Sequence, residues 1–168
     1  DQREIKPNYN IAIAALDSMF LPSLSWSFVT ASKFSAREYS EGFLFDVSGS
    51  SLFVDRVNKH YILAYLNTKV TQRHLDVINP TVNYQPGNIK DLILLVDKKN
   101  RDHINIIVSK QIEISKKDWD SRETSWDFKQ SPLLNENNAL KQAVQTWQDN
   151  VTQDFFQLHT NEEELNRI

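Results

Sequence analysis

The spacing of apolar residues changes along this chain, and that change constrains the fold more than any other feature. Late in the sequence the apolar positions are Leu140, Val144, Trp147, Val151, Phe155 and Leu158. Their steps of four, three, four, four and three put all six on one stripe of a long helix. Residues 97–119 repeat the pattern with Ile104, Ile107, Val108, Ile112 and Trp119, and Asp97 stands where a helix N-cap is expected. Upstream the apolar runs are short. Trp26 and Phe28 alternate with polar residues, the period of a half-buried strand. Residues 42–47 and 50–54 are two further apolar runs with a Ser-Gly-Ser turn between them, which predicts a hairpin. Residues 60–79 return to helical spacing, interrupted at Asn67 and ended ahead of Pro80, so two short helices are expected. A strand, a Pro86-Gly87 turn and another apolar run should follow over 81–96. The class is therefore α+β. A small curved β-sheet domain with short helices, residues 1–96, precedes a helical spacer or docking segment, residues 97–168.

Hydrophobic residues make up 40% of the 168 positions and charged residues 24%, which suits a chain with a core of its own. The net charge is −3. Residues 1–96 hold nine Lys/Arg against nine Asp/Glu, and residues 97–168 hold ten against thirteen, so neither half is a polycationic arm. A freestanding nucleic-acid-binding domain is usually basic, whereas a part of a larger protein can share its phosphate contacts with its neighbours. The chain has no cysteine, which excludes disulfides, thiolate metal sites and cysteine nucleophiles and fits a cytoplasmic setting. No apolar run approaches the roughly 18 residues of a membrane span, and no secretory signal opens the sequence. The polar beginning DQREIKPNYN, the ending EEELNRI and a single methionine, Met19, point to a piece of a longer protein.

Few residues suggest chemistry. The four histidines include no pair spaced for a metal-binding helix, and three glycines build no phosphate loop. Asp118, Asp120, Glu123 and Asp127 could form a carboxylate pair, but no nucleophile or base lies near them, and capping and salt-linking explain them better. The same stretch, DWDSRETSWDF, carries Trp119, Trp126 and Phe128. Such rings are costly to leave in water, so this segment is expected to dock and bury them. Lys33 and Arg37 lie among serines beside Phe34 and Tyr39, which fits either a recognition surface for DNA or a solvated strand edge. Tyr84 and Gln85 lie in a loop after Asn79-Pro80. Amides there could read adenine, or simply build a turn.

Three stretches, FSAREYSEGFLFDVSGSSLF, YLNTKVTQRHLDVINPTVNYQPGNIKDL and IEISKKDWDSRETSWDFKQSPLL, resemble in that order the large adenine-specific DNA methyltransferases of bacterial phage-exclusion (BREX-type) systems and related fused restriction–methylation enzymes. The resemblance covers residues 25–168, and its third motif is the most specific. It implies that the parent protein flips an adenine and methylates it from S-adenosylmethionine. The family's catalytic Asn-Pro-Pro-Tyr is absent here, because Asn79-Pro80-Thr81-Val82 lacks the second proline and the stacking aromatic. The resemblance therefore implies the DNA target-recognition part of a site-specific N6-adenine methyltransferase. No cofactor, metal or catalytic residue is expected in this piece, which should be inactive alone. Its expected partners are double-stranded DNA and its own N-terminal methyltransferase domain, with no membrane. The expected DNA contacts are Lys33, Arg37, Lys69, Arg73, Tyr84 and Gln85. The alternative is a protein-interaction or spacer module whose helical half docks on another domain or subunit.

Overall fold

In a computed structural model, residues 16–55, 58–94, 96–134 and 139–168 are described. Among them is a three-stranded antiparallel sheet of β1 (Ser23–Ser27), β2 (Ala36–Tyr39) and β3 (Gly49–Leu52), with β1 in the middle. The helices are α1 (Lys59–Leu66), α2 (Lys69–Ile78), a short α3 (Pro86–Lys90), α4 (Arg101–Asp120) and α5 (Leu140–Leu165). The α+β class is as expected.

β1 reads Ser-Leu-Ser-Trp-Ser, so its pleat sends Leu24 and Trp26 into the core and Ser25 and Ser27 outward. Trp26 can be buried because its Nε1 donates to the Tyr84 carbonyl at 2.9 Å. The expected hairpin of 42–47 with 50–54 does not form. Residues 42–47 are a loop, and β2 and β3 pair on either side of β1 rather than with each other. The loop has local causes. Gly42 takes a left-handed φ of 96°, open to glycine at no steric cost. Asp46 Oδ1 accepts from the backbone N–H of Ser48 and Gly49 and turns the chain into β3.

Asn67 separates α1 from α2, as its interruption of the pattern predicts, and α2 ends at Ile78 ahead of Pro80. Thr68 caps α2 by accepting from Thr71 N. The expected Pro86-Gly87 turn is instead the start of α3, since proline's fixed φ suits a first helical position. The strand expected after Pro80 is reduced to an isolated bridge between Val29 and Asn83. Asp97 caps a turn, accepting from Lys99 N and Asn100 N, and α4 starts three residues later than expected, after Asn100, whose side chain makes no capping bond.

One buried cluster joins Leu24, Trp26 and Phe34 of the β-rich region to Leu63, Leu66 and Leu75 of α1 and α2 and to Ile104 and Val108 of α4, so it crosses residue 96. α5 runs antiparallel to α4, tied by His103–Glu164, Gln111 to the Leu158 carbonyl, and Lys117–Asp154. It turns Ala143 and Asn161 inward, while Leu140 and Phe155 of its apolar stripe stay largely in solvent and Trp147 and Val151 are partly exposed. Among the described residues no helix is long and apolar enough to cross a membrane.

Candidate nucleic-acid interface

Two sets of side-chain bonds fix the backbone beside the four cations expected at a DNA surface. Gln72 of α2 accepts from Phe34 N at 2.8 Å. Asn67, at the α1–α2 corner, accepts from Ala36 N at 3.0 Å and donates to the Ala36 carbonyl at 3.1 Å. That amide pairs the outer edge of β2 at Ala36 as a further strand would. Lys33 adjoins Phe34, Arg37 adjoins Ala36, and Lys69 and Arg73 lie on α2 around Gln72. The backbone of all four therefore meets at one corner. Nothing in sequence spacing marks Asn67 or Gln72 as positioning residues, because their partners lie more than thirty positions away.

The four differ in availability. Lys33, Arg37 and Arg73 are exposed, and none makes an ion pair with a described residue. Lys69 is committed. Its Nζ lies 2.5 Å from Glu163 of α5, and its backbone N–H is held by Asn166. The hydrogen bond from Lys69 holds the Glu163 carboxyl below the usual carboxylate range.

Tyr84 is not a surface contact. Its ring lies against Phe34 at 5.1 Å and is 5% exposed, and the packing of Trp26 on its carbonyl keeps it in the core. Gln85 is exposed, but its backbone N–H is held by Asn88 in the capping of α3. The turn-building reading of that loop is the better one. Asn79, which stands before Pro80, spends its amide internally. It donates to the Asn83 carbonyl at 2.6 Å and accepts from Thr81 at 2.7 Å.

A Glu38–His60–Ser109 chain links β2, α1 and α4, with His60 Nε2 at 3.1 Å from Glu38 and Nδ1 at 3.2 Å from Ser109 Oγ. Lys59 pairs with the same Glu38 carboxylate. The Ser109 hydroxyl donates to the Asn105 carbonyl at 2.8 Å, so its proton faces away from the imidazole and the chain is a tether rather than an activated nucleophile. Among the described residues no group of His, Asp or Glu is arranged to hold a metal ion.

The segment 118–128 corrects the docking expectation within this chain. Trp119 is 55% exposed and Trp126 97% exposed, while Phe128 is half-buried. Successive turns, from Arg122 N to the Trp119 carbonyl and from Ser125 N to the Arg122 carbonyl, coil the chain around polar groups and leave the indoles outside. Ser125 is the buried residue and donates to Asp120 at 2.8 Å. Asp120 and Asp127 share Lys116, and Asp118 pairs with Arg122, so these three acids are salt-linked. The Ser125 bond, followed by that from Lys116, holds the Asp120 carboxyl below its ordinary value. A depressed carboxylate stabilises the fold above its ordinary range and loses that contribution as the pH falls through it. Ser125→Ala is expected to raise the Asp120 titration midpoint, followed by carboxyl NMR. An unmoved midpoint would refute this account of the turn.

No protein-family profile matches the chain. It is homologous to a segment of adenine-specific methyltransferases. It is 35% identical over 156 residues to the adenine-specific methyltransferase PglX of Lacticaseibacillus casei (strain Zhang), a match covering 89% of this chain and 13% of that protein. It is 31% identical over 155 residues to the adenine-specific methyltransferase BrxX of Escherichia coli O9:H4 (strain HS), covering 90% of this chain and 12% of that protein. The chain thus spans about an eighth of the length of the curated relatives it matches.

Proposed function

We propose that this chain is the DNA target-recognition part of a site-specific N6-adenine DNA methyltransferase acting in the cytoplasm in phage defence or restriction–modification. In this reading the S-adenosylmethionine site and the catalytic residues belong to another part of a longer polypeptide, and the chain transfers no methyl group alone. The observation that carries it is the corner formed by Lys33, Arg37 and Arg73. Their backbone positions are anchored at that corner by Gln72 and Asn67, and their side chains are left without carboxylate partners among the described residues. Homology to a segment of adenine-specific methyltransferases supports this reading. Free cations on a fixed edge suit phosphate contacts that set register on a duplex.

The test is duplex DNA binding by fluorescence anisotropy over a range of salt. Every phosphate that a side chain neutralises adds about 0.9 to the steepness of log affinity against log salt. Arg37→Ala should weaken binding several-fold and make the slope shallower by about 1, while Lys69→Ala, already paired to Glu163, should change it less. No salt-dependent binding by the wild-type chain would reject the reading.

A second reading is favoured by one observation, the exposure of Trp147, Val151 and Phe155 along α5 and of Trp126 beside α4. A solvent-facing apolar stripe on an ordered helix suits docking onto another domain or subunit. The two roles use different residues and are compatible. Val151→Glu is expected to leave the chain's unfolding midpoint in urea nearly unchanged while abolishing its association with the remainder of the longer protein in a pull-down. A large loss of stability would place Val151 in this chain's own packing instead.

A further inference from the structure

The outward face of the sheet carries a small crevice. It is lined by Ser23, Ser25 and Ser51 on the strands, by Tyr39, Phe43 and Leu44 on one side, and by Asp46 and Gly49. Its volume is about 100 Å³ and it is open to solvent, so it would seat the edge of a ring rather than enclose one.

The fold builds this crevice from both ends. The period of β1 puts Ser23 and Ser25 on the outer face, and the sheet register sets Ser25 between Arg37 of β2 and Ser51 of β3. Ser23 Oγ donates to Ser51 Oγ at 3.3 Å, which orients that part of the floor. The wall is held on the other side. Phe43 meets Tyr39 edge-to-face at 5.1 Å, and the loop is pinned by paired bonds between Phe20 and residues 42 and 43. Gly49 keeps the floor low, since even a Cβ there would rest 3.8 Å from Ser25 Oγ.

The lining selects among ligands. An aromatic and aliphatic wall above a hydroxyl floor suits a planar heterocycle with hydrogen-bonding edges. The carboxylate of Asp46 opposes a phosphate in the crevice. One of its oxygens is taken by Ser48 and Gly49, and a carboxylate accepts at both. What suits the other is an N–H donor. We infer that this crevice takes a nucleobase edge bearing an exocyclic amine, with Asp46 accepting from the amine, the serine hydroxyls meeting the ring acceptors, and Arg37 beside it on the strand for the attached phosphate. This deepens the DNA-recognition reading and rests on it.

The probes are single-stranded homopolymers of deoxycytidine and deoxythymidine of equal length, which differ at the base edge while both present a pyrimidine for stacking. Binding is followed by anisotropy and by NMR shifts of the Ser25, Tyr39 and Ser51 amides. The cytosine strand should bind about fivefold or more tightly than the thymine strand and shift those amides. Asp46→Asn keeps the turn acceptor and should erase the preference. Gly49→Val, a residue that strands favour, should fill the floor and weaken both strands. Equal binding of the two strands, a preference that survives Asp46→Asn, or shifts elsewhere on the chain would overturn the inference. Duplex binding with a normal salt slope alongside any of those results would leave the DNA-recognition reading standing. Absence of all duplex binding would remove that reading as well.

Discussion

Replacing Trp26 with alanine is expected to cost about 3–5 kcal/mol of folding free energy, whereas Trp126→Ala should cost under about 0.5 kcal/mol. The two indoles sit at opposite extremes of exposure, 4% and 97%. Trp26 lies in the middle strand with its ring tilted against Phe34, centroids 6.2 Å apart. Its Nε1 proton is spent on the Tyr84 carbonyl. Alanine there opens a cavity at the centre of the cluster and leaves that carbonyl without its donor, and the two penalties add. Trp126 has almost nothing of this chain against it, so truncation removes little. Urea titrations of both variants, read by circular dichroism, separate the cases. Comparable losses, or a larger one for Trp126, would mean that segment 118–128 folds back onto the core after all.

The contrast between these tryptophans also marks how far the sequence can be read. Local patterns are legible. The alternation around Trp26 marks a strand, the interruption at Asn67 divides two helices, and the steps from Leu140 trace α5. Each depends only on neighbours a few positions away. Trp126 escapes such reasoning because apolar character measures the cost of exposure without naming what lies opposite. Where turns coil around Ser125 and Asp120, the rings point out. Tyr84 departs from expectation in the reverse sense, since a polar loop composition hides a ring that closes the core beneath Trp26 and Phe34. The hairpin fails on pairing. Two apolar runs flanking a turn do not reveal that an earlier strand, β1, offers both of its edges. At the candidate site the cation types can be read, but their meeting depends on Asn67 and Gln72, and which of them is free depends on Glu163, nearly a hundred residues from Lys69.

Asn67→Ala should therefore have the second-largest effect, and one that reaches the proposed DNA-contacting corner. The Asn67 amide makes three hydrogen bonds, with Ala36 N, with the Ala36 carbonyl and with the Leu63 carbonyl. At about 1 kcal/mol each, their loss comes to about 2–3 kcal/mol. The free edge of β2 would then expose an unpaired N–H and C=O to other chains, and aggregation on heating should increase. Because the same amide fixes β2 to the α1–α2 corner, Arg37 should lose its fixed placement relative to Arg73, so duplex affinity should fall although no cation has been removed. Asn67→Asp separates the two halves of the amide. Its carboxylate still accepts from Ala36 N but faces the carbonyls of Ala36 and Leu63 without a proton to donate, so it should destabilise at neutral pH at least as much as alanine. Lowering the pH to protonate it should return part of the loss. If Asn67→Asp were as stable as wild type at neutral pH, the edge of β2 would have to be satisfied by water, and the corner would not be what holds the cations together.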